Sequence, residues 1–512
     1  MRTVAGGDTM FLESMNKRCG HFLALLAFVN SRQSWQSFMV RPFLADLHSQ
    51  AAQLEEFLDA SNARNNTLWR PFRTMTAAVK RFSDIAYELL HIHNCLPDYK
   101  LLVVDANYEK DTQDAIIFTA DVISHTASQM LDLASRIGLH QFDSEIADKD
   151  YDEHIPPHRL SEDVLRRQTD TVIKTITMLS TTFLNLASES TILHEAANIP
   201  PHEYCSYVPQ HITEENMRNL ELKFHNLQSL YDTYVLETEN EQLDDDLPVF
   251  RAHITVVLHL LKTATSFTHY YERHQHCAAK DISEIAESLV RPQQLLSILM
   301  NYSVRYSSLY INGAEYLCKN MLKRYTEISQ IEVPVPSYRG FHVRPATLIS
   351  KLVFHYGSDV KLDIDGQSYD ASSPLEIFRA NEKINAQKRK WLINEIIRLK
   401  LLPSRLCNTT FSEVIKNVIT TMAEQKKIIL YENPLQIPEH IEQKDGTIIE
   451  KVAEEIARLQ AMGKIDIETE LRVSFTGDKR VLDDIRLLAE SGYGEDNLGN
   501  NITLPKELFY LR

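Results

Sequence analysis

Glycine is scarce in this sequence, at 14 residues in 512. So few glycines argue against a protein built on tight β-turns, and the abundance of Leu, Ile, Ala, Glu and Gln favours helices instead. Paired cysteines are lacking as well. Cys19, Cys95, Cys205, Cys277, Cys318 and Cys407 are scattered with no CxxC, a pattern that suits reduced thiols in a cytoplasmic protein. Positive charge is in deficit: 54 basic against 70 acidic residues leave −16, which argues against a general nucleic-acid binder. No apolar run approaches the roughly 18 residues of a membrane span. Lys17-Arg18 before "CGHFLALLAFV" faintly resembles a signal peptide. No small-x-small cleavage site follows, so a buried core helix is expected there.

What the chain does have is length and helical periodicity. It is long enough for several domains with sizeable cores. Helical patterns cover about 11–30, 34–62, 68–95, 111–138, 161–197, 213–238, 248–276 and 281–328, with breaks at "IPPH" (155–158), "IPPHEY" (199–204) and "ENEQLDDDLP" (239–248). Eight such helices predict two bundles, 1–150 and 151–328. A shift of 178 places Phe72-Arg73 on Phe250-Arg251, Val79 on Val257, Ala86 on Ala264 and His91 on His269, matches that a duplication or shared helical composition would leave.

The pattern changes at 329. Ile331, Val333 and Val335 alternate with Glu332, Pro334 and Pro336, the period of a strand. Both prolines fall on one parity, which only an edge strand tolerates. A helical stripe follows at Leu348, Ile349, Leu352, Val353 and Tyr356, and a second alternation at Val360, Leu362 and Ile364 runs into the turn Asp365-Gly366. Ser373-Pro374-Leu375-Glu376 reads as a capping box opening a helix. Much later Leu471, Val473 and Phe475 alternate, and Val481, Leu482, Ile485 and Leu488 form a last amphipathic stripe. The fold class is therefore mostly α: two helical bundles, then a small α+β domain in the order βαββαβα. That domain is split into 329–380 and 463–495 by a helical insertion at 381–462, with a C-terminal tail at 496–512.

"GFHVRPA" (340–346) carries the chemistry. His342 precedes a helix that Pro345 helps to start, so open N–H groups and the positive dipole end converge on it. With Ala346 behind it, that helix start can hold a phosphoryl group carried on the imidazole. Neutral imidazole is a competent nucleophile near pH 7, Arg344 offers a forked guanidinium to phosphate oxygens, and Gly340 lets the backbone turn closely. The heptapeptide resembles the active-site signature Gly-Leu-His-x-Arg-Pro-Ala of the histidine-containing phosphocarrier (HPr) family of the sugar phosphotransferase system. "LQAMGKIDIETELRVSF" (459–475) is similar to that family's stretch from second helix to last strand. The resemblance covers about 329–380 and 463–492, and the family has the βαββαβα order. It implies that His342 takes and gives a phosphoryl group, that Arg344 stabilises it, and that the donor is an enzyme I-type protein. The downstream acceptor or regulatory partner is not named by any residue. Phe341 and the insertion depart from the family's pattern. Ser373 aligns with a serine that a kinase phosphorylates in some members, although Pro374 follows it here and helix capping explains it without regulation.

Other signals point to structure. "HLLKTA" (259–264) is slightly similar to the His-x-x-Lys-Gly core of histidine phosphotransfer bundles, but Thr263 stands where the glycine belongs. His259 and Lys262 are expected on a solvated helix face. Glu88-x-x-His91 mimics half of a di-iron ligand set with no second copy, so "HIHNC" (91–95) and "HYYERHQHC" (269–277) read as helix-end histidines. The basic stretch 383–405 reads as a solvated face. No Gly-rich phosphate loop, Ser-His-Asp pattern or zinc spacing is present, so neither metal nor cofactor is expected, and nothing suggests that the chain makes its own phosphoryl donor. The sequence predicts a signalling phosphocarrier. The alternative is an interaction protein whose small domain docks a partner without phosphotransfer.

Overall fold

The computed structural model of the chain describes residues 6–139, 146, 151, 172–236, 244–276, 278–403, 410–431, 435, 437 and 446–511. The break at 155–158, the start of the helix expected from 161, the first half of the acidic break 239–248, Cys277 and Cys407 lie outside them. The protein is mostly helical, with a small antiparallel sheet. Among the described residues no helix is long and apolar enough to cross a membrane. The chain divides into two compact units, Met1–Cys318 and Lys319–Arg512.

The first unit holds α1 (Gly6–Asn30), α2 (Arg41–Ala60), α3 (Arg70–Cys95), α4 (Tyr108–Arg136), α5 (Val172–Glu189), α6 (Thr191–Ala196), α7 (Tyr204–Tyr207), α8 (Glu214–Tyr231), α9 (Asp246–Tyr270), α10 (Lys280–Leu289), α11 (Pro292–Ile298) and most of α12 (Arg305–Arg324). The segment resembling a signal peptide is a core helix, with Cys19, Phe22, Leu25 and Leu26 fully buried in α1. Residues from both expected bundles share one core. Phe82 of α3 lies 6.4 Å from Phe118 of α4, and 6.4 and 5.1 Å from Phe267 and Tyr270 of α9.

Two expected helices are shorter than their periodicity suggests. The span 34–62 becomes a short 3₁₀ turn and then α2, because Pro42 fits only the first turn, where an N–H has no partner to lose. The span 281–328 breaks at Val290 and Arg291, whose extended backbone is what Pro292 imposes on the residue before it.

The second unit is built on β1 (Ile328–Pro334), α13 (Val343–Tyr356), β2 (Val360–Ile364), β3 (Gln367–Asp370), α14 (Pro374–Arg398), β6 (Arg472–Asp478) and α17 (Lys479–Glu490). The four strands are antiparallel in the order β1-β6-β2-β3, so β1 with Pro334 is an edge. Ile331 and Leu362 both pair with Phe475, and Val333 pairs with Val473. These side chains are buried, as are Ile349, Leu352 and Val353 of α13 and Leu482 and Ile485 of α17, and α17 packs against β1, β6 and α13. Asp365 and Gly366, at φ 50° and 74°, make the two left-handed residues that a two-residue hairpin loop requires.

The segment expected as a helical insertion differs in two respects. First, α14 runs unbroken through position 381, and its C-terminal half supplies Leu392 and Ile396 to a separate core. Second, that core includes strands as well as helices: α15 (Phe411–Glu424), α16 (Ile448–Ala461) and an antiparallel pair of β4 (Ile428–Leu430) with β5 (Ile465–Ile467), which α16 separates in sequence. Strands of three residues are too short for an alternation to show in sequence. The tail after 495 packs onto α13. Tyr510 lies with its ring 4.1 Å from His355, and Lys351 Nζ donates to the Leu511 carbonyl at 3.2 Å.

Candidate functional site

The loop into α13 is held from three sides. Arg339 and Gly340 are both left-handed, at φ 56° and 62°. Asn381 of α14 bridges them: its Oδ1 accepts the Phe341 N–H at 2.9 Å, and its Nδ2 donates to the Arg339 carbonyl at 3.1 Å. A Cβ at position 340 would sit 2.3 Å from Asn381 Oδ1, so both conformation and space require glycine. Asp466 of β5 accepts the Arg339 N–H at 2.9 Å. Phe341, where the resembling signature has leucine, is fully buried between Phe475 and Tyr493 and acts as an apolar anchor.

This anchoring delivers His342 as the N-cap of α13, in extended conformation and with no capping bond from its side chain. The ring is therefore not used to start the helix. Ala346, itself buried, closes the first turn by donating its N–H to the His342 carbonyl at 3.1 Å. Pro345 has no N–H, so the open amides at this end are those of Val343 and Arg344. Arg344 is half-buried and its Nε has no hydrogen-bond partner among the described residues.

A carboxylate lies against the histidine that the motif does not contain. His342 Nε2 is 2.8 Å from Glu495 Oε1 and 2.9 Å from Oε2. The Glu495 side chain is 3 % exposed and the histidine's 22 %. Glu495 is pinned by its own N–H to the Gly492 carbonyl (3.2 Å) and by a bridge to Asn501. The Tyr493 hydroxyl ties the same segment to the Pro334 carbonyl at 2.7 Å. Tyr338 places its ring edge-on to His342 at 5.3 Å. Glu495 is 153 residues from His342 in sequence, and "GYGEDNLG" around it reads only as a glycine-rich turn.

Ser373 sits elsewhere, at the start of α14. Its Oγ accepts the Glu376 N–H at 3.4 Å, while the Glu376 carboxylate bonds to Arg379 instead of returning to the cap. Half of the expected capping box is thus formed.

In the first unit, the solvated face expected for His259 is not what the structure has. His259 is 12 % exposed, its Nδ1 bonds to the Glu88 carboxylate, and Lys262 Nζ reaches the same group at 3.3 Å. Burial opposes ionisation of Glu88, yet these two partners outweigh it and hold its carboxyl below the usual range. His91 is not a free helix-end residue either. Its ring is 4.2 Å from that of His259, and burial first, then the charge of His259, push it down to about 4. The periodicity that put His259 on a polar face could not show that α3 packs over that face. Among the described residues no group of three or more His, Cys, Asp or Glu is arranged to hold a metal ion. Lys388, in the basic stretch expected to be solvated, is buried against Asp466 at 3.4 Å.

No protein-family model, curated protein or solved structure matches the chain.

Proposed function

We propose that the protein is a phosphoryl acceptor and carrier acting through His342, in the manner of the HPr family that "GFHVRPA" resembles, with an enzyme I-type donor, a cytoplasmic location and a signalling role. The observation that carries the reading is the state of His342. It caps α13 by backbone alone, next to open amides and the unpartnered Nε of Arg344. The imidazole is held through Nε2 by Glu495, while its Nδ1 makes no hydrogen bond among the described residues; a ring with one open nitrogen beside such an anion-binding helix start is suited to bear a phosphoryl group. The order β1, α13, β2, β3, α14, β6, α17 supports it further, because this is the order of that family.

Transfer would proceed by attack of a ring nitrogen lone pair on the donor's phosphorus. The N–P bond forms as the bond to the donor breaks, and the donor atom leaves with the electron pair. Arg344 and the Val343 and Arg344 amides face the charge on the phosphoryl oxygens. A signalling role follows from the surroundings of the loop. Asn381 and Asp466 tie it to α14 and β5, so the added charge of about −1.5 to −2 reaches structure that a freely diffusing carrier does not need. The same ties support the second reading, a docking module without phosphotransfer.

Incubation with enzyme I and phosphoenolpyruvate should give acid-labile, base-stable label. His342→Ala should abolish that label and His259→Ala should leave it. Label that persists in His342→Ala would sink the site, and no label in the wild type would favour docking. Arg344→Ala removes a charge-assisted contact of about 1.5–3 kcal/mol and should slow labelling by roughly ten- to a hundredfold. An unchanged rate would place that guanidinium away from the phosphoryl group.

A further inference from the structure

We propose that Tyr338 is a positioning residue for His342 and the point at which the insertion acts on it: Tyr431, just past β4, holds the Tyr338 ring, and that ring holds the imidazole. The inference rests on the reading of His342 as the acceptor and names a regulation of that same site.

Three parts of the second unit meet on the Tyr338 side chain. Its ring stands perpendicular to that of His342, at 85° and 5.3 Å between centroids, and close to perpendicular to that of Tyr431, at 70° and 5.1 Å. Its third neighbour is the loop after α17. Gly499 is left-handed at φ 83°, and a Cβ there would lie 2.5 Å from Tyr338 Cε1, so glycine lets that loop close on the ring. Each neighbour is itself fixed. The Tyr431 N–H donates to the Lys464 carbonyl at 3.0 Å, which extends the β4–β5 ladder by one bond, and the Gly499 N–H donates to the Asp496 carbonyl at 3.0 Å. Asp466 of β5 accepts the Arg339 N–H at 2.9 Å, next in sequence to Tyr338. The loop before His342 and the ring of Tyr431 are thus fastened to the same pair of strands.

The link is one of ring packing. The Tyr431 hydroxyl is buried with no hydrogen-bond partner among the described residues, so contact with its neighbours, not its polar end, keeps the side chain in place. Among the described residues no hydrogen bond or ring contact joins Tyr431 to His342 directly, so the packed path between them runs through Tyr338. What the ring adds to Glu495 is a second constraint. The carboxylate holds the imidazole at one atom, about which the ring can still pivot. A perpendicular aromatic ring on another side removes that freedom, and a nucleophile's rate depends on how steadily its lone pair is aimed. A partner or ligand that shifts β4 against β5 therefore changes the aim of His342 without touching it.

The test uses the full chain, labelled by enzyme I and phosphoenolpyruvate. Tyr338→Ala removes one edge-to-face pair and should slow labelling about three- to tenfold, in kcat and not in KM for the chain. Tyr338→Phe keeps the ring and should restore the rate. Should Tyr338→Ala fail to fold, Tyr338→Leu, which keeps apolar bulk without the ring, takes its place with the same expectation. Tyr431→Ala should slow labelling roughly twofold or more and shift the NMR signals of the His342 ring protons; in the Tyr338→Ala background it should do neither. A wild-type rate in Tyr338→Ala, a change in KM alone, losses that multiply in the double variant, or His342 signals that ignore Tyr431→Ala would each overturn the proposal. A wild type that takes no label, while its His342 signals follow Tyr431→Ala only when Tyr338 is present, overturns the carrier reading and supports the contact between the rings, so the two failures are distinct.

Discussion

A chain ended after Ala380 is expected to lose all slowly exchanging amides between 328 and 380, although that segment contains β1, α13, β2 and β3. The reason is strand order. β6 lies between β1 and β2, so its removal leaves β1 with no partner and β2–β3 as a lone hairpin, which is marginal in water. The same truncation removes Val473, Phe475, Val481, Leu482, Ile485 and Leu488, all buried. At about 1.5–3 kcal/mol for each buried side chain, the loss is on the order of 10 kcal/mol, comparable with the whole stability of a typical domain. Hydrogen exchange on the truncated and full chains decides it. Native protection of Leu362 and Ile364 in the truncated chain would mean that β6 is not the centre of this sheet.

The parts of this unit legible in sequence are those whose cause is local. Pro334 and Pro336 on one parity marked an edge strand, Asp365-Gly366 marked a tight hairpin turn, and Gly340 before His342 marked a close turn of the backbone. Each is decided by a residue's own dihedral preferences or its missing donor. The illegible parts depend on which surfaces meet. Lys388 and His259 both lie on faces that look polar from their own helix, and both are buried because another element covers that face. Glu495 is one carboxylate among 70 acidic residues, and only the folded loop from 492 to 502 brings it to His342. The boundary expected at 380/381 fails for a related reason. A helix can serve two cores in succession, and α14 does: Ile377 and Ala380 are buried toward its N-terminal end, while Leu392 and Ile396 join the insertion's core.

That double service makes Asp466 the residue whose loss should be felt most widely. It is 1 % exposed and sits on β5, outside the four-stranded sheet. Its Oδ1 accepts the Ile467 N–H at 2.7 Å and Gln460 Nε2 at 3.2 Å, Lys388 Nζ lies 3.4 Å from both oxygens, and Oδ2 accepts the Arg339 N–H three residues before His342. Asp466→Ala would strand a buried ammonium and several buried donors. Breaking a buried pair in this way costs about 3–5 kcal/mol, far more than the pair itself contributes. Asp466→Ala with Lys388→Met should therefore recover part of the stability, leaving mainly the unpaired Arg339 and Ile467 N–H groups at about 1–3 kcal/mol each. Denaturant unfolding of the three proteins measures this directly. Function should separate from stability in the same set: the double variant, though restabilised, still lacks the bond that holds the His342 loop and should label more slowly than the wild type. A single Asp466→Ala that loses less than about 1 kcal/mol would show that water reaches Lys388. A double variant that labels at the wild-type rate would show that Asn381 alone positions the loop and that the insertion does not act on His342.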